Sequence, residues 1–189
     1  MSYEELKKIL VLNDVYIILK QNEKELFELI PELEKCKGFN QNNKWHIYDV
    51  YEHILKVVSG TDSNLYLRIA SLFHDIGKPS TYTLDENGVG HFYNHWNKSI
   101  EIFKKYEDKL NLTDEEKFLI INLIFYHDIN IEKMNMATKN KMLNDIKNIE
   151  LLFNLKRADL LAQSPEYHNL LININSQEQK LKSLKLKKR

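Results

Sequence analysis

Helix-breaking residues are scarce in this chain, and their scarcity constrains the fold more than any other sequence feature. Only five glycines and three prolines occur among 189 residues. Glycine and proline punctuate turns and disfavour helix interiors, so this scarcity favours helices over many short strands. We therefore predict an all-α fold, a compact single-domain helical bundle.

The composition is that of an ordinary globular domain. Apolar residues make up 43% and charged residues 29% of the chain, so disorder is not expected. The sequence contains no run of about 18 apolar residues, so no bilayer span is predicted. The first residues lack the uninterrupted apolar segment of a secretory signal. The single Cys36 excludes an internal disulfide framework, and 27 acidic against 27 basic residues give no overall attraction to nucleic acid. We expect a cytoplasmic protein.

Hydrophobic periodicity and capping residues predict a series of helices. Thr113 and Glu116 form a predicted capping box, Asn94 a predicted N-cap, and Gly60 and Gly77 predicted C-terminal stops. Apolar and polar residues alternate in the segment 80–93, which also contains Asn-Gly, and this pattern indicates a loop or small hairpin. The predicted helices span 3–11, 22–34, 47–59, 64–76, 96–108, 114–127, 139–161 (or two shorter helices within it) and 166–184.

Two central helices end in the same dipeptide. The stretches 65–73 and 118–126 are apolar nearly all round, and they are followed by His74-Asp75 and His127-Asp128. A histidine that closes a buried helix is costly unless it has a partner. Each histidine is therefore either a hydrogen-bonded core residue or a metal ligand.

Other polar residues lie where an apolar residue is expected. His53 lies at the margin of the apolar stripe of the third predicted helix, with His46 seven residues earlier on the same side. Asp159 falls on the apolar line of a later helix, and a buried carboxylate needs a cation nearby. Lys156, Arg157 or a metal ion could supply that cation.

One metal site accounts for these features together, because imidazole nitrogens and carboxylate oxygens ligate divalent metals. Asp75 has two oxygens and could bridge two ions, or a single ion could leave His95 and His127 to contact substrate. His91, four residues before His95, is an alternative ligand. The candidate ligands are His53, His74, Asp75, His95, His127 and Asp159.

The sequence around these residues resembles the HD-domain metal-dependent phosphohydrolases. The run HDIGKP begins at His74, and the six candidates follow that family's order H…HD…H…H…D. The resemblance is most specific to the HD region of bacterial CCA-adding enzymes (tRNA nucleotidyltransferases). It rests on KGFNQNNKWHIYDVYEHIL at 37–55, LFHDIGKPSTYTLDENGVGHFYNHWNKS at 72–99 and LKRADLLAQSPEY at 155–167.

The resemblance implies a domain layout and a reaction. An HD domain is expected over 28–170, after an N-terminal helical extension at 1–27 and before a basic C-terminal helix or tail at 171–189. The implied reaction is hydrolysis of a phosphomonoester or phosphodiester of a nucleotide or RNA end by metal-activated water. One or two divalent ions are expected, with Fe, Mn, Ni, Co, Zn or Mg as candidates.

Residue roles follow from the same resemblance. Asp75 bridges the ions, with His53, His74 and Asp159 on the first and His95 and His127 on the second. Asp75 and Lys78 are the predicted catalytic residues. Lys78, Arg157 and His46 are the predicted contacts to the substrate phosphate, although Lys78 could instead be a solvated lysine at a helix end.

Some features of the CCA-adding enzymes are absent from these 189 residues. The sequence has neither the DxD pair nor the Gly-Ser loop of their polymerase head, so nucleotidyl transfer is not carried over. Asn94-His95-Trp96 stands where that family commonly has Gly-His-Glu. The alternative function is a non-catalytic, metal-containing RNA- or nucleotide-binding module that uses the basic C-terminus. The aromatic residues that could stack on a base are Tyr48, Tyr82, Tyr93, Trp96 and Tyr126.

Overall fold

The structure, a computed structural model, describes residues 1–186 and confirms the all-α fold. A two-stranded antiparallel hairpin, β1 (Thr83–Leu84) and β2 (Gly90–His91), confirms the prediction for 80–93. Within residues 1–186, none of the helices has the length and apolar character needed to cross a bilayer. The described α-helices are α1 (Tyr3–Leu10), α2 (Val15–Gln21), α3 (Glu23–Leu29), α4 (Pro31–Glu34), α5 (Val50–Gly60), α6 (Leu65–Phe73), α7 (His95–Phe103), α8 (Asp114–Tyr126), α9 (Met136–Asp145), α10 (Ile149–Leu161) and α11 (Leu171–Leu186).

Helix α6 is the centre of the bundle. It packs against α5, α8 and α10, and every residue from Leu67 to Phe73 is buried. Helix α8 buries Ile120, Leu123 and Ile124 against it, although Phe118 is exposed on the opposite side. These two helices are therefore central, as their all-round apolar sequences predict, and both deliver their terminal histidines into the protein interior.

Several predicted helix ends are confirmed. The Thr113–Glu116 capping box opens α8, and the segment 139–161 is broken between α9 and α10. Asn94 occupies the predicted N-cap position of α7, but its side chain makes no capping hydrogen bond. It adopts a left-handed conformation with φ of 59°, which asparagine tolerates better than most residues.

Other helix boundaries differ from the prediction. The predicted helix 22–34 is divided at Ile30, because the residue before a proline is pushed out of the helical region. Helix α2 occupies residues that the periodicity left between two predicted helices. The predicted helix 166–184 begins as a 3-10 turn, Pro165–Leu170, and continues as α11.

The N-terminal helices belong to the same apolar core as the rest of the chain. Leu6, Leu10 and Leu19 are fully buried in that core. The buried guanidinium of Arg68 on α6 donates to the carbonyls of Leu10 and Leu12, which lie at the end of α1. Leu10 is the last residue of α1 and Leu12 follows it by two residues. The last carbonyls of a helix have no partner within the helix, so Arg68 fixes the end of α1 to the central helix.

Close backbone packing positions the start of α7. Gly77 follows α6, and a Cβ atom there would lie 2.6 Å from both the His95 carbonyl oxygen and the Ser99 nitrogen. Its own N–H donates to Ser99 Oγ at 3.0 Å. Helix α6 has already ended at Phe73, so Gly77 acts through close approach to α7 and not as the predicted C-terminal stop of that helix.

The β-hairpin is attached to the loop before α5. The N–H of Gly90 donates to the Asn42 carbonyl at 2.8 Å, and a Cβ atom on Gly90 would lie 2.2 Å from the Gln41 carbonyl oxygen. Only glycine allows this approach. The hairpin and the loop of Gln41 thereby form one wall beside the ends of α6 and α8.

Candidate metal centre

The six predicted ligands converge from five separate parts of the bundle. His53 lies in α5, His74 and Asp75 follow α6, His95 begins α7, His127 follows α8, and Asp159 lies near the end of α10. The four imidazoles and Asp75 are buried, and the Asp159 side chain is 15% exposed. Adjacent residues His74 and Asp75 can face one site because α6 ends at Phe73 and the chain turns there.

These residues form two groups that share Asp75. One group contains His53, His74, Asp75 and Asp159, and the other contains Asp75, His95 and His127; within each, the ligand atoms lie within 4.8 Å of one another. The Oδ2 atom of Asp75 is 3.2 Å from His53 Nε2 and 3.3 Å from His74 Nε2. Its Oδ1 atom is 3.1 Å from His95 Nε2 and 3.6 Å from His127 Nε2.

Backbone carbonyls orient all four imidazoles. Each ring donates its Nδ1 hydrogen to a carbonyl, which turns Nε2 toward the centre of the cluster. Metal-binding histidines use the same hydrogen bond from their other ring nitrogen to fix the tautomer and the ring orientation. The donor and acceptor pairs are His53 with Ala162 (3.3 Å), His74 with Ser71 (2.6 Å), His95 with Phe92 (2.9 Å) and His127 with Ile124 (2.6 Å).

The donor set fits divalent metal ions. Asp75 Oδ1 is buried and has no hydrogen-bond partner among the described residues. The Nε2 atoms of His95 and His127 face each other at 3.3 Å. Such lone pairs and carboxylate oxygens are costly to bury unless a proton or a metal cation lies between them. Imidazole and carboxylate ligands suit Zn, Fe, Mn, Co and Ni.

The pKa shifts differ from one imidazole to another, even within a group, because burial opposes the charged form but the contact with Asp75 still raises the pKa of His95. Burial alone would lower the pKa of His53, but the carboxylates of Asp159 and Asp75 outweigh it and raise this pKa to about 9. In the other group, burial lowers the pKa of His127 despite its contact with Asp75. Burial likewise opposes the anionic form of Asp75, yet His74, Lys78 and the other imidazoles hold its pKa well below its usual value.

Lys78 is not a solvated lysine. It is 5% exposed, and its Nζ donates to Asp75 Oδ2 at 2.7 Å and to Gln41 Oε1 at 2.8 Å. It also lies 3.2 Å from His46 Nε2. The ammonium group therefore lies directly beside the shared carboxylate.

His46 lies in the loop before α5, which begins only at Val50. His46 and His53 therefore do not share a helix face, contrary to the prediction. Its Nδ1 pairs with Asn43 Oδ1 at 2.8 Å, which leaves Nε2 to accept from Lys78. Burial and then the charge of Lys78 lower the pKa of His46 to about 3. A neutral His46 in this arrangement accepts from Lys78 and orients its ammonium group.

Arg157 is not brought to the cluster. Its guanidinium pairs with Glu178 on α11 at 2.6 Å, on the side of α10 away from the metal centre. Lys156 approaches instead, and its Nζ donates to the carbonyls of His127 and Ile129. Burial lowers the pKa of Lys156 to about 8. The sequence offered Lys156 only as a countercharge for Asp159, so its role at the end of α8 was missed.

A cavity of about 340 Å³ opens onto the shared carboxylate. Tyr93 and Trp96 line it, whereas Tyr48, Tyr82 and Tyr126 do not. His91 also lines the cavity, but it pairs with Asp85, so the structure brings His95 and not His91 to the metal centre. The other lining residues are His46, Asp75, Lys78, Gly90, Phe92, His95, His127, Asp128, Asp159 and Gln163.

The fold and this cluster of histidines and aspartates are those of an HD domain. The HD domain family model matches residues 45–164, which is more than half of the chain, so the chain belongs to the HD domain family. The HD domain defines a superfamily of metal-dependent hydrolases. The predicted limits 28–170 are wider than the match and stay a prediction.

A curated relative confirms the more specific resemblance. The A-adding tRNA nucleotidyltransferase of Deinococcus radiodurans is 33% identical to this chain over 89 residues. The match covers 44% of this chain and 20% of that protein. The chain is therefore similar to one part of a tRNA nucleotidyltransferase.

Proposed function

We propose that this chain is a metal-dependent phosphohydrolase that hydrolyses a phosphomonoester or phosphodiester of a nucleotide or an RNA end. The observation that carries the proposal is the Asp75 carboxylate, which lies between two groups of inward-facing imidazoles. A paired site of this kind suits phosphoryl chemistry, where charge develops on several oxygens at once. We further propose that the reaction takes place in the cytoplasm.

The ligands divide into two sets around Asp75. His53, His74 and Asp159 would hold one ion and His95 and His127 the other, with Asp75 shared by both. When bound, divalent ions lower the pKa of water and stabilise the charge of the attacking and leaving oxygens. The carbonyl hydrogen bonds of the four imidazoles keep Nε2 available for this role.

Lys78 is the proposed cationic contact to the substrate phosphate. It lines the cavity and lies beside Asp75, while Gln41 and His46 hold its ammonium group in place. Arg157 is a weaker proposal for the same role, because its guanidinium would have to leave Glu178. His46 acts in this proposal through Lys78, although direct contact with a substrate oxygen also stays a prediction.

Substitution of the shared carboxylate tests the proposed function. The metal-loaded protein should hydrolyse p-nitrophenyl phosphate, bis-p-nitrophenyl phosphate or a nucleotide with at least one of Mn, Fe, Ni, Co or Zn. Asp75→Asn should lower the rate at least about 100-fold and reduce the retained metal, because the shared negative charge is lost and one of the two ligand oxygens is replaced by an NH2 group that cannot ligate a cation. Asp14→Asn is the matched control, since Asp14 is exposed and makes no side-chain cap bond. Full metal content and full rate in Asp75→Asn would contradict the proposal.

The alternative proposal is a metal-containing module that binds RNA or a nucleotide without hydrolysing it. The similarity to a tRNA nucleotidyltransferase favours this alternative. Deletion of residues 180–189 would not test it cleanly, because Leu181 is buried in the core. Substitution of the basic residues Lys187, Lys188 and Arg189 by glutamine is a better test, although these residues lie outside the described part of the chain. Loss of tRNA binding by that variant, with no hydrolysis by the wild type, would favour the module.

A further inference from the structure

The cavity beside the metal centre contains an exposed aromatic side chain that the metal chemistry does not use. Tyr93 is 69% exposed, although it is only two residues from the buried His95. The left-handed conformation of Asn94 separates them, so that one residue reaches the metal centre and the other remains at the cavity. Trp96 lines the same cavity and contacts the His95 ring edge-on.

Tyr93 is held in place despite its exposure. Its ring stacks on the ring of His91, with an interplanar angle of 6° and centroids 5.3 Å apart. His91 Nε2 lies 3.1 Å from Asp85 Oδ2, and Asp85 Oδ1 accepts from the N–H groups of Asn87 and Val89 at 2.9 Å. These contacts at the tip of the hairpin thus fix the Tyr93 ring before a ligand binds, which reduces the entropy lost when the ligand packs on it.

The cavity combines three kinds of contact. An aromatic surface suits a planar ring, Lys78 suits a phosphate, and the shared Asp75 marks the reacting end. At about 340 Å³ the cavity lies near the small end of the range of about 300–1,000 Å³ for ligand pockets, so it suits one nucleotide better than a long oligonucleotide.

We propose that Tyr93, bordered by Trp96, stacks on the base of the nucleotide whose phosphate faces Lys78 and the metal centre. This inference rests on the proposed function and makes its substrate class more specific. Tyr93 becomes a specificity-determining residue that favours substrates with a nucleobase over simple sugar phosphates, with little discrimination between bases, because every base has a π-face.

A second cavity provides the competing location for the base. It has a volume of about 360 Å³ and shares His127 and Asp159 with the first, but it extends along α11 past Asn173 and Gln177. Its amide side chains could form hydrogen bonds with a base edge, and no Phe, Tyr or Trp side chain lines it among the described residues. Substitution of Asn173 is therefore a matched control for substitution of Tyr93.

Calorimetric binding to the full-length, manganese-loaded protein tests this inference. The two probes are the methylenephosphonate analogue of adenosine 5′-monophosphate and the same analogue of ribose 5-phosphate, which lacks the base. A carbon replaces the scissile oxygen, so neither probe is hydrolysed. The wild type should bind the adenosine probe about tenfold more tightly than the ribose probe.

The variants locate the base. Tyr93→Ala should lose this preference, whereas Tyr93→Phe and Asn173→Ala should keep it. Equal binding of both probes by the wild type, including no measurable binding of either, would overturn the inference. Loss of the preference in Asn173→Ala instead of Tyr93→Ala would also overturn it, because the base would then lie along α11. Hydrolysis without a base preference would support the proposed function and contradict the stacking role of Tyr93. Base-dependent binding without hydrolysis would support the stacking role and contradict the proposed function.

Discussion

The two halves of the metal centre share one carboxylate and differ in almost everything else. The inner half (His53, His74 and Asp159) contains a second carboxylate, and its two histidine side chains are 0% exposed. Among the described residues, Asp75 is the only carboxylate grouped with the outer half (His95 and His127) as a candidate ligand. Both outer histidines line the cavity, whereas His53 and His74 do not.

The supporting structure differs in the same way. The inner ligands come from α5, α6 and α10, which pack directly against one another. The outer ligands lie at the first residue of α7 and just after α8, beside the β-hairpin. The second carboxylate, Asp159, should give the inner half the higher affinity for a divalent cation. We propose that the outer half, whose two histidines line the cavity, is the one that meets substrate.

Removal of one imidazole from each half should have the largest effect. His53→Ala should lower hydrolysis at least about 100-fold and reduce the bound metal, because it leaves Asp75 and Asp159 facing an incomplete site. His127→Ala should retain the inner ion and lose the outer one. Metal content and initial rate are measured together for both variants. Equal metal content in the two variants would remove the distinction between the halves.

Metal removal should destabilise the protein by an intermediate amount. Bound ions stabilise the folded state by mass action, about 2.7 kcal/mol at a ligand concentration of 100 times Kd. A chelator should therefore lower Tm by roughly 5–10 °C in a chain of this length. The Tm of Asp75→Asn should fall much less on addition of the chelator, because this variant holds less metal. The Tm of His127→Ala should fall nearly as much as that of the wild type, because the ion in the inner half contributes more of the stabilisation. An unchanged Tm after complete metal removal would contradict the claim that an ion held by the inner half stabilises the folded protein.

A matched pair of glycine substitutions should have the smallest effect and should sharpen the comparison. Gly77→Ala presses a methyl group against the backbone of α7 at 2.6 Å, so it should cost roughly 1–3 kcal/mol and displace His95. Gly60→Ala meets Ala158, with its Cβ at 3.3 Å and its Cα at 3.7 Å, on the inner side, and should cost less than about 1 kcal/mol. Denaturant unfolding gives both values. A larger loss in Gly60→Ala than in Gly77→Ala would contradict this description of the packing.

The residues that could be predicted from the sequence are those whose chemistry conflicts with their surroundings. His74 and His127 follow helices that are apolar on every side, and Asp159 lies on an apolar line of its helix. Such conflicts are visible without coordinates, because burial of these groups needs a partner. The Thr113–Glu116 capping box is likewise a local signal that the structure confirms.

The remaining features depend on contacts between distant segments. Arg157 and Lys156 are neighbours with similar chemistry, and only the packing of α10 against α8 and α11 decides which one approaches His127. The partners of Lys78, Gln41 and His46, come from a loop more than thirty residues earlier in the chain. Helix α2 is seven residues long, too short for a clear periodic signal, and is stabilised by burial of Val15 and Leu19.

Metal content per chain of the purified wild-type protein tests the central claim most directly. Elemental analysis after reconstitution with Mn, Fe, Ni, Co or Zn should find about two ions per chain, because Asp75 presents one oxygen to each half. One ion per chain would confine metal to the inner half and assign His95 and His127 to substrate instead. No retained metal under any of these conditions would contradict the paired metal centre and, with it, the proposed phosphohydrolase.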